Sequence, residues 1–222
     1  RRERAFARSR APRTYVPQRS ATSDPLELLV VLAGDSTTDS QDRFDYWSQV
    51  AQQTQCALIY AEGLLSGQQS AWIGEMDNFV KDPWQVEELP AQAIARFAAE
   101  HGIRSGKAVI VGEGSGAPVA FDLALRAPGF FGAALLLDGL VAPTPDGSSL
   151  ALARACGSKF VLLLGDAAPL SGTWADLATR NLVVPLGEWM RAGGLDARAE
   201  ALAGRATELS PEQMSAEVRK LF

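Results

Sequence analysis

Five continuously apolar runs of strand length punctuate the chain, at residues 26–33, 56–61, 108–111, 133–137 and 160–164. None alternates apolar with polar. That is the pattern of strands buried on both faces of a parallel sheet. Stretches with helical periodicity lie between them, at about 42–54, 84–101, 117–127 and 148–155. In the 84–101 stretch Val86, Leu89, Ala93, Phe97 and Glu100 step by three and four and define one face, with Pro83 near the start, where proline is tolerated. A last helix opens at Ser210-Pro211-Glu212-Gln213, with a capping serine, a proline at the first position and a Gln that completes a capping box. Strands alternating with helices predict an α/β fold of three layers, a mostly parallel central sheet with helices on both faces. The segment 62–83 follows a strand end and contains glycine, which places it with the loops on the ligand side of such a sheet.

Length and charge narrow the picture. At 222 residues one domain with a substantial core is expected. No apolar run approaches the 18 or so residues of a membrane span. The net charge of −5 conceals an asymmetry, because residues 1–19 hold seven Arg and one Glu and the remainder carries −11. Residues 1–19 are therefore expected to be a basic, flexible tail ahead of a single domain over 20–222, and the acidic body argues against a nucleic-acid-binding core. The tail offers a contact for nucleic acid, an anionic membrane or an acidic partner. Cys56 and Cys156 each open or precede an apolar strand, have no metal-ligand spacing, and are expected to be small buried hydrophobes in a reducing compartment. No cofactor or metal is implied.

The chemically telling stretch is 108–121, an apolar strand, a glycine turn and a helix start. Gly112-Glu113-Gly114-Ser115-Gly116 has the spacing of G-x-S-x-G, the nucleophile elbow that lifts a serine hydroxyl above the sheet. Gly114 occupies the nucleophile position and has no side chain. Other pieces fall in a consistent order: Arg-Thr-Tyr-Val-Pro at 13–17, Leu-Leu-Val-Val-Leu-Ala-Gly-Asp at 28–35, Ile-Tyr-Ala-Glu-Gly at 59–63, Ala71-Trp72, Ala-Pro-Gly-Phe-Phe-Gly-Ala at 127–133 and Trp-Met-Arg-Ala-Gly-Gly at 189–194. Together these resemble the α/β-hydrolase superfamily. Within it the chain is similar to small carboxylesterases of the phospholipase/acyl-thioesterase and polyhydroxybutyrate-depolymerase-like group.

That resemblance implies a serine, an imidazole, an orienting carboxylate and oxyanion donors. Position by position, the chain departs from it. Thr207 stands where the imidazole belongs, within Gly204-Arg205-Ala206-Thr207-Glu208-Leu209-Ser210. The acid position falls on Ala168 when read after Leu164-Gly165-Asp166, or on Asn181 when Val183-Val184-Pro185 is taken as the family's Val-Pro. Ala33 replaces the histidine of Leu-His-Gly, while Gly34 keeps its backbone donor. Ser115 is a rescue candidate for the nucleophile, although the turn presents one residue and not its neighbour. The only histidine, His101, ends a helix on the side of the sheet away from the elbow and is expected to cap or lie exposed.

Acidic residues recur at strand ends: Asp35, Glu62, Glu113, Asp138 and Asp166. They suggest a crevice for a cation, an amine or a sugar, or else ordinary capping of turns. Trp72 and Trp84 flank the long segment as pocket candidates, whereas Trp47 and Trp189 belong to helix–sheet packing. The expected function is that of a pseudoenzyme, a hydrolase scaffold that binds an unidentified small molecule or protein partner. Two alternatives stay open: a hydrolase-like enzyme with a non-standard site (Ser115, or the carboxylates Glu113 and Asp166), and an assembly module docked through its basic tail.

Overall fold

A computed structural model describes residues 12–18, 26–34, 40–62, 65–66, 69–70, 94–103, 108–139, 147–165 and 180–222. Strands β1 (Arg13–Tyr15), β2 (Leu28–Ala33) and β3 (Ala57–Glu62) precede a short hairpin of β4 (Leu65–Ser66) and β5 (Gln69–Ser70). Then come β6 (Ala108–Glu113), β7 (Phe131–Leu137), β8 (Lys159–Gly165) and β9 (Asp196–Leu202). The helices are α1 (Ser40–Thr54), α2 (94–100), α3 (Gly116–Arg126), α4 (Gly147–Ala155), α5 (Arg180–Ala192) and α6 (Pro211–Arg219), with a 3₁₀ turn at Ala206–Glu208.

The main sheet has seven strands in the order β1-β3-β2-β6-β7-β8-β9, and only β1 runs antiparallel. One row of the register reads Leu32, Gly112, Leu136, Leu162, Ala199 across five neighbouring strands. That alignment brings the carboxyl ends of β2, β6, β7 and β8 level, so the residues just beyond them share one rim.

Successive strand residues point to opposite faces, and each face has its own core. Leu28, Val30, Leu32, Ile110, Leu136 and Leu162 pack under α2, α3, α4 and α5. Leu29, Val31, Val109, Leu135 and Leu163 pack under α1 and α6. This is the expected three-layer α/β arrangement with a mostly parallel sheet. Ser210 caps α6, and its reciprocal bonds with Gln213 complete the capping box. Of the 84–101 stretch, the described part turns Ile94, Phe97 and Ala98 inward.

Three expectations need correction. Residues 13–15 do not belong to a loose tail, because β1 pairs with β3 and Arg13 lies against the rings of Phe44 and Tyr60. Cys56 is buried as expected, whereas Cys156 is exposed beyond the end of α4. Strand β9 was not foreseen, since Asp-Ala-Arg-Ala-Glu-Ala-Leu contains no apolar run. It is an edge strand, half exposed along its length, and needs less hydrophobicity than the centre. Among the described residues no helix is long and apolar enough to cross a membrane.

Candidate functional site

The site is built on the turn between β6 and α3. Gly114 has φ +52, a left-handed conformation that glycine adopts at little steric cost, and its N–H donates to the Leu137 carbonyl at 2.8 Å. Gly116 is required by packing: a Cβ there would lie 2.1 Å from the Leu32 carbonyl oxygen. Strand, turn and helix are thus pressed directly against the end of β2, the sharp strand–turn–helix geometry of an elbow. Gly34, at the end of β2, lies close enough to the turn that its own Cβ would meet Ser115 Oγ at 2.4 Å and the Gly116 nitrogen at 2.7 Å.

Glu113 points away from this rim. It is 2 % exposed and is held by α1: Arg43 Nε donates to Oε2 at 3.1 Å, Arg43 Nη2 donates to Oε1, and Trp47 Nε1 donates to Oε1 at 3.1 Å. Arg43 is 8 % exposed and stacks on the Tyr46 ring at 4.2 Å. Burial, the largest single influence, opposes its charge, but the adjacent Glu113 carboxylate, with smaller help from Tyr46 and Tyr60, holds the guanidinium above its ordinary range. Glu113 is therefore the inner half of a buried ion pair that ties α1 to the elbow, and its acceptor capacity faces Arg43 and Trp47. Arg43 was missed in the sequence. The available signal was a lone cation beside Phe44, Tyr46 and Trp47 on an otherwise core-facing helix.

Asp138, one residue beyond β7, is buried and has φ +50, an uncommon conformation for a residue with a side chain. Four donors converge on its carboxylate. Oδ1 accepts from the Gly165 N–H at 2.8 Å and the Ala206 N–H at 3.0 Å. Oδ2 accepts from the Thr207 N–H at 2.8 Å and the Thr207 hydroxyl at 2.9 Å. Its neighbours both touch the elbow. Leu137 accepts the Gly114 N–H, and a Cβ on Gly139 would lie 2.1 Å from the Gly114 carbonyl oxygen. Gly114, Asp138 and Thr207 thus form one contiguous group, and the carboxylate beside Thr207 is Asp138. Asn181 instead lies in the first turn of α5, and Pro185 is inside that helix. Ala168, Asp166, Asp35, Trp72 and Trp84 lie outside the described residues.

Solved structures of several esterases share this fold. Esterase PE8 superposes with a TM-score of 0.66 over 96% of this chain and 99% of that one, at 16% identity. A thermostable esterase matches with a TM-score of 0.65 at 16% identity, over 95% of this chain and 58% of that one. A carboxylesterase from Mesorhizobium loti matches with a TM-score of 0.55 at 20% identity, over 87% of each chain. The chain has the α/β-hydrolase fold. No family model matches its sequence, and no curated protein does.

Within this hydrolase fold the remaining candidates do not converge. Glu62 accepts from Arg13 Nη2 at 2.6 Å, so the three described strand-end acids engage three different partners: Arg13, Arg43 and the Thr207 segment. Among the described residues no group of three or more His, Cys, Asp or Glu is placed to hold a metal ion. Ala33 and Gly34 end β2 beside the elbow and are buried. Ser115 is 5 % exposed, and its Oγ has no hydrogen-bond partner among the described residues. His101 lies beyond the end of α2, exposed, with its ring 4.4 Å from that of Phe97. Trp47 is fully buried, and Trp189 packs on Phe121.

Proposed function

We propose that this chain is a hydrolase-fold protein without serine-hydrolase chemistry, and that its crevice serves to bind a small molecule or a protein partner. One observation carries the reading: at the turn where the fold presents a nucleophile stands Gly114, and the residue on Asp138 is Thr207, whose side chain has no basic nitrogen to accept a proton. In a serine hydrolase the hydroxyl, the base and the carboxylate act as a unit, and loss of one member lowers turnover by several orders of magnitude. The retained glycines and the left-handed turn support a scaffold kept for its shape.

The rival use of Glu113 as an acid or base is disfavoured by its ion pair with Arg43, which leaves the carboxylate facing α1. The test is hydrolysis of short-chain p-nitrophenyl esters by the purified protein. No turnover above buffer is expected. Turnover that Ser115→Ala abolishes would overturn the reading and assign the chemistry to the adjacent hydroxyl. Ligand capture is read separately, as a rise in melting temperature across a panel of carboxylic acids, amides and esters.

A further inference from the structure

We infer that Asp138 is the orienting carboxylate of this site, so that the acid is present while positions 114 and 207 lack the nucleophile and the base. The inference rests on the functional reading above. It goes further by assigning the acid, which lies after β7 and not after β8, where the resemblance placed it.

Three observations bear on the assignment. First, Asp138 touches the residue at the base position through its side chain as well as its backbone: the Thr207 hydroxyl and N–H both donate to Oδ2, at 2.9 and 2.8 Å. A carboxylate that merely capped the turn would need only the N–H groups. Second, Asp138 is fixed to the elbow from both sides, through Leu137 and Gly139, so carboxylate, position 207 and position 114 form one contiguous group. Third, Asp138 keeps a left-handed backbone that a side chain rarely adopts. Such conformations persist where the surroundings over-determine them and cluster at functional sites. With Oδ1 saturated by Gly165 and Ala206, Oδ2 is the atom turned toward position 207. An imidazole there would present an N–H to Oδ2 in place of the threonine hydroxyl.

The experiment places an imidazole at that point. Thr207→His is prepared, and its ring protons are titrated by NMR beside those of His101, the only native histidine. A carboxylate within a few ångströms favours the charged ring, so its midpoint is expected about 1–3 pH units above the usual value of about 6.5. In Thr207→His/Asp138→Asn the midpoint should fall back by the same amount. Equal midpoints in the two backgrounds overturn the assignment. Asp138→Asn also removes an acceptor from three backbone N–H groups and can loosen the turn. A second readout therefore uses Thr207→His alone. A slowly exchanging, far-downfield ring N–H proton is expected, and a ring N–H that exchanges as freely as that of His101 overturns the assignment.

Gly114→Ser/Thr207→His then tests sufficiency on p-nitrophenyl acetate. The installed hydroxyl loses its proton to the imidazole as its oxygen bonds to the ester carbonyl carbon. The nitrophenolate leaves, the imidazolium returns its proton to solvent, and water hydrolyses the acyl group. Turnover at least tenfold above either single variant, lost again on Asp138→Asn, is expected. Turnover unaffected by Asp138→Asn overturns the assignment. Ester hydrolysis by the unaltered chain overturns the functional reading alone, so the two failures are distinguishable.

Discussion

Removal of the Glu113 carboxylate should destabilise the whole domain, because the group neutralises a cation that water cannot reach. In Glu113→Ala the Arg43 guanidinium, 8 % exposed, loses both its hydrogen bonds to Glu113, and the Trp47 indole N–H loses its acceptor in a fully buried setting. Loss of one partner of a buried ion pair costs about 3–5 kcal/mol, since the other charge stays desolvated. For a domain of this size about 1 kcal/mol lowers the melting temperature by roughly 2–4 °C, so the expected fall is about 6–20 °C. Glu113→Gln keeps an acceptor for Trp47 but not the charge and should fall between the wild type and Glu113→Ala. Arg43→Met/Glu113→Leu removes both charges, and much of the loss should return. Scanning calorimetry on the wild type, Arg43→Met, Glu113→Leu and Arg43→Met/Glu113→Leu gives the coupling between the two positions. A Glu113→Ala melting point within about 2 °C of wild type, or strict additivity of the two single changes, would refute the claim that this pair is desolvated and coupled.

The elbow and the tyrosines give two further expectations. Gly116→Ala should destabilise strongly and shift chemical shifts in β2, because its Cβ would meet the Leu32 carbonyl oxygen at 2.1 Å. Gly157→Ala, where the backbone is also left-handed (φ +67) but nothing lies within 4 Å of an added Cβ, should cost only about 1–2 kcal/mol. Urea melts of the pair check the order, and equal losses would count against the packing argument. Burial pushes the Tyr46 and Tyr60 hydroxyls well above the usual tyrosine range. The unfolded chain ionises them near about pH 10. Their contribution is therefore complete below that pH and is lost progressively as the pH rises beyond it. Absorbance titration should show phenolate from these two rings appearing only together with loss of far-UV circular dichroism, and ionisation without unfolding would contradict this.

The layers of the fold were legible because its central strands are buried on both sides. Leu-Leu-Val-Val-Leu-Ala and Phe-Val-Leu-Leu-Leu admit few other structures. Strand β9 was not legible, because an edge strand of alternating alanine and charge carries no continuous apolar signal. The elbow could be read from its glycines, since close backbone approach leaves a mark at fixed spacing. The pairings around it could not. Arg43 and Glu113 are 70 positions apart, and Asp138 and Thr207 are 69 apart, so nothing local joins them. Asp138 was noticed as a strand-end acid, but its partner is set by how β7 and the segment before α6 meet. The Val-Pro at 184–185, taken in the sequence as the family's Val-Pro, sits inside α5, a placement that residue types alone do not reveal.

The direction of β1 has a consequence for the arginines that precede it. Because β1 runs against the other six strands, with Arg13 opposite Tyr60, the chain enters the sheet at their carboxyl ends. That is the rim of Gly114 and Asp138. Three inter-strand steps of about 4.8 Å separate β1 from β6, roughly 14 Å in all. Twelve residues of extended chain span up to about 40 Å. The five arginines that precede Arg13 in the sequence are therefore joined to the sheet at this rim, at the opposite end of the strands from Ala57 and Ala108. A molecule that binds at the rim of Gly114 and one that binds beside Arg13 approach the same end of the sheet.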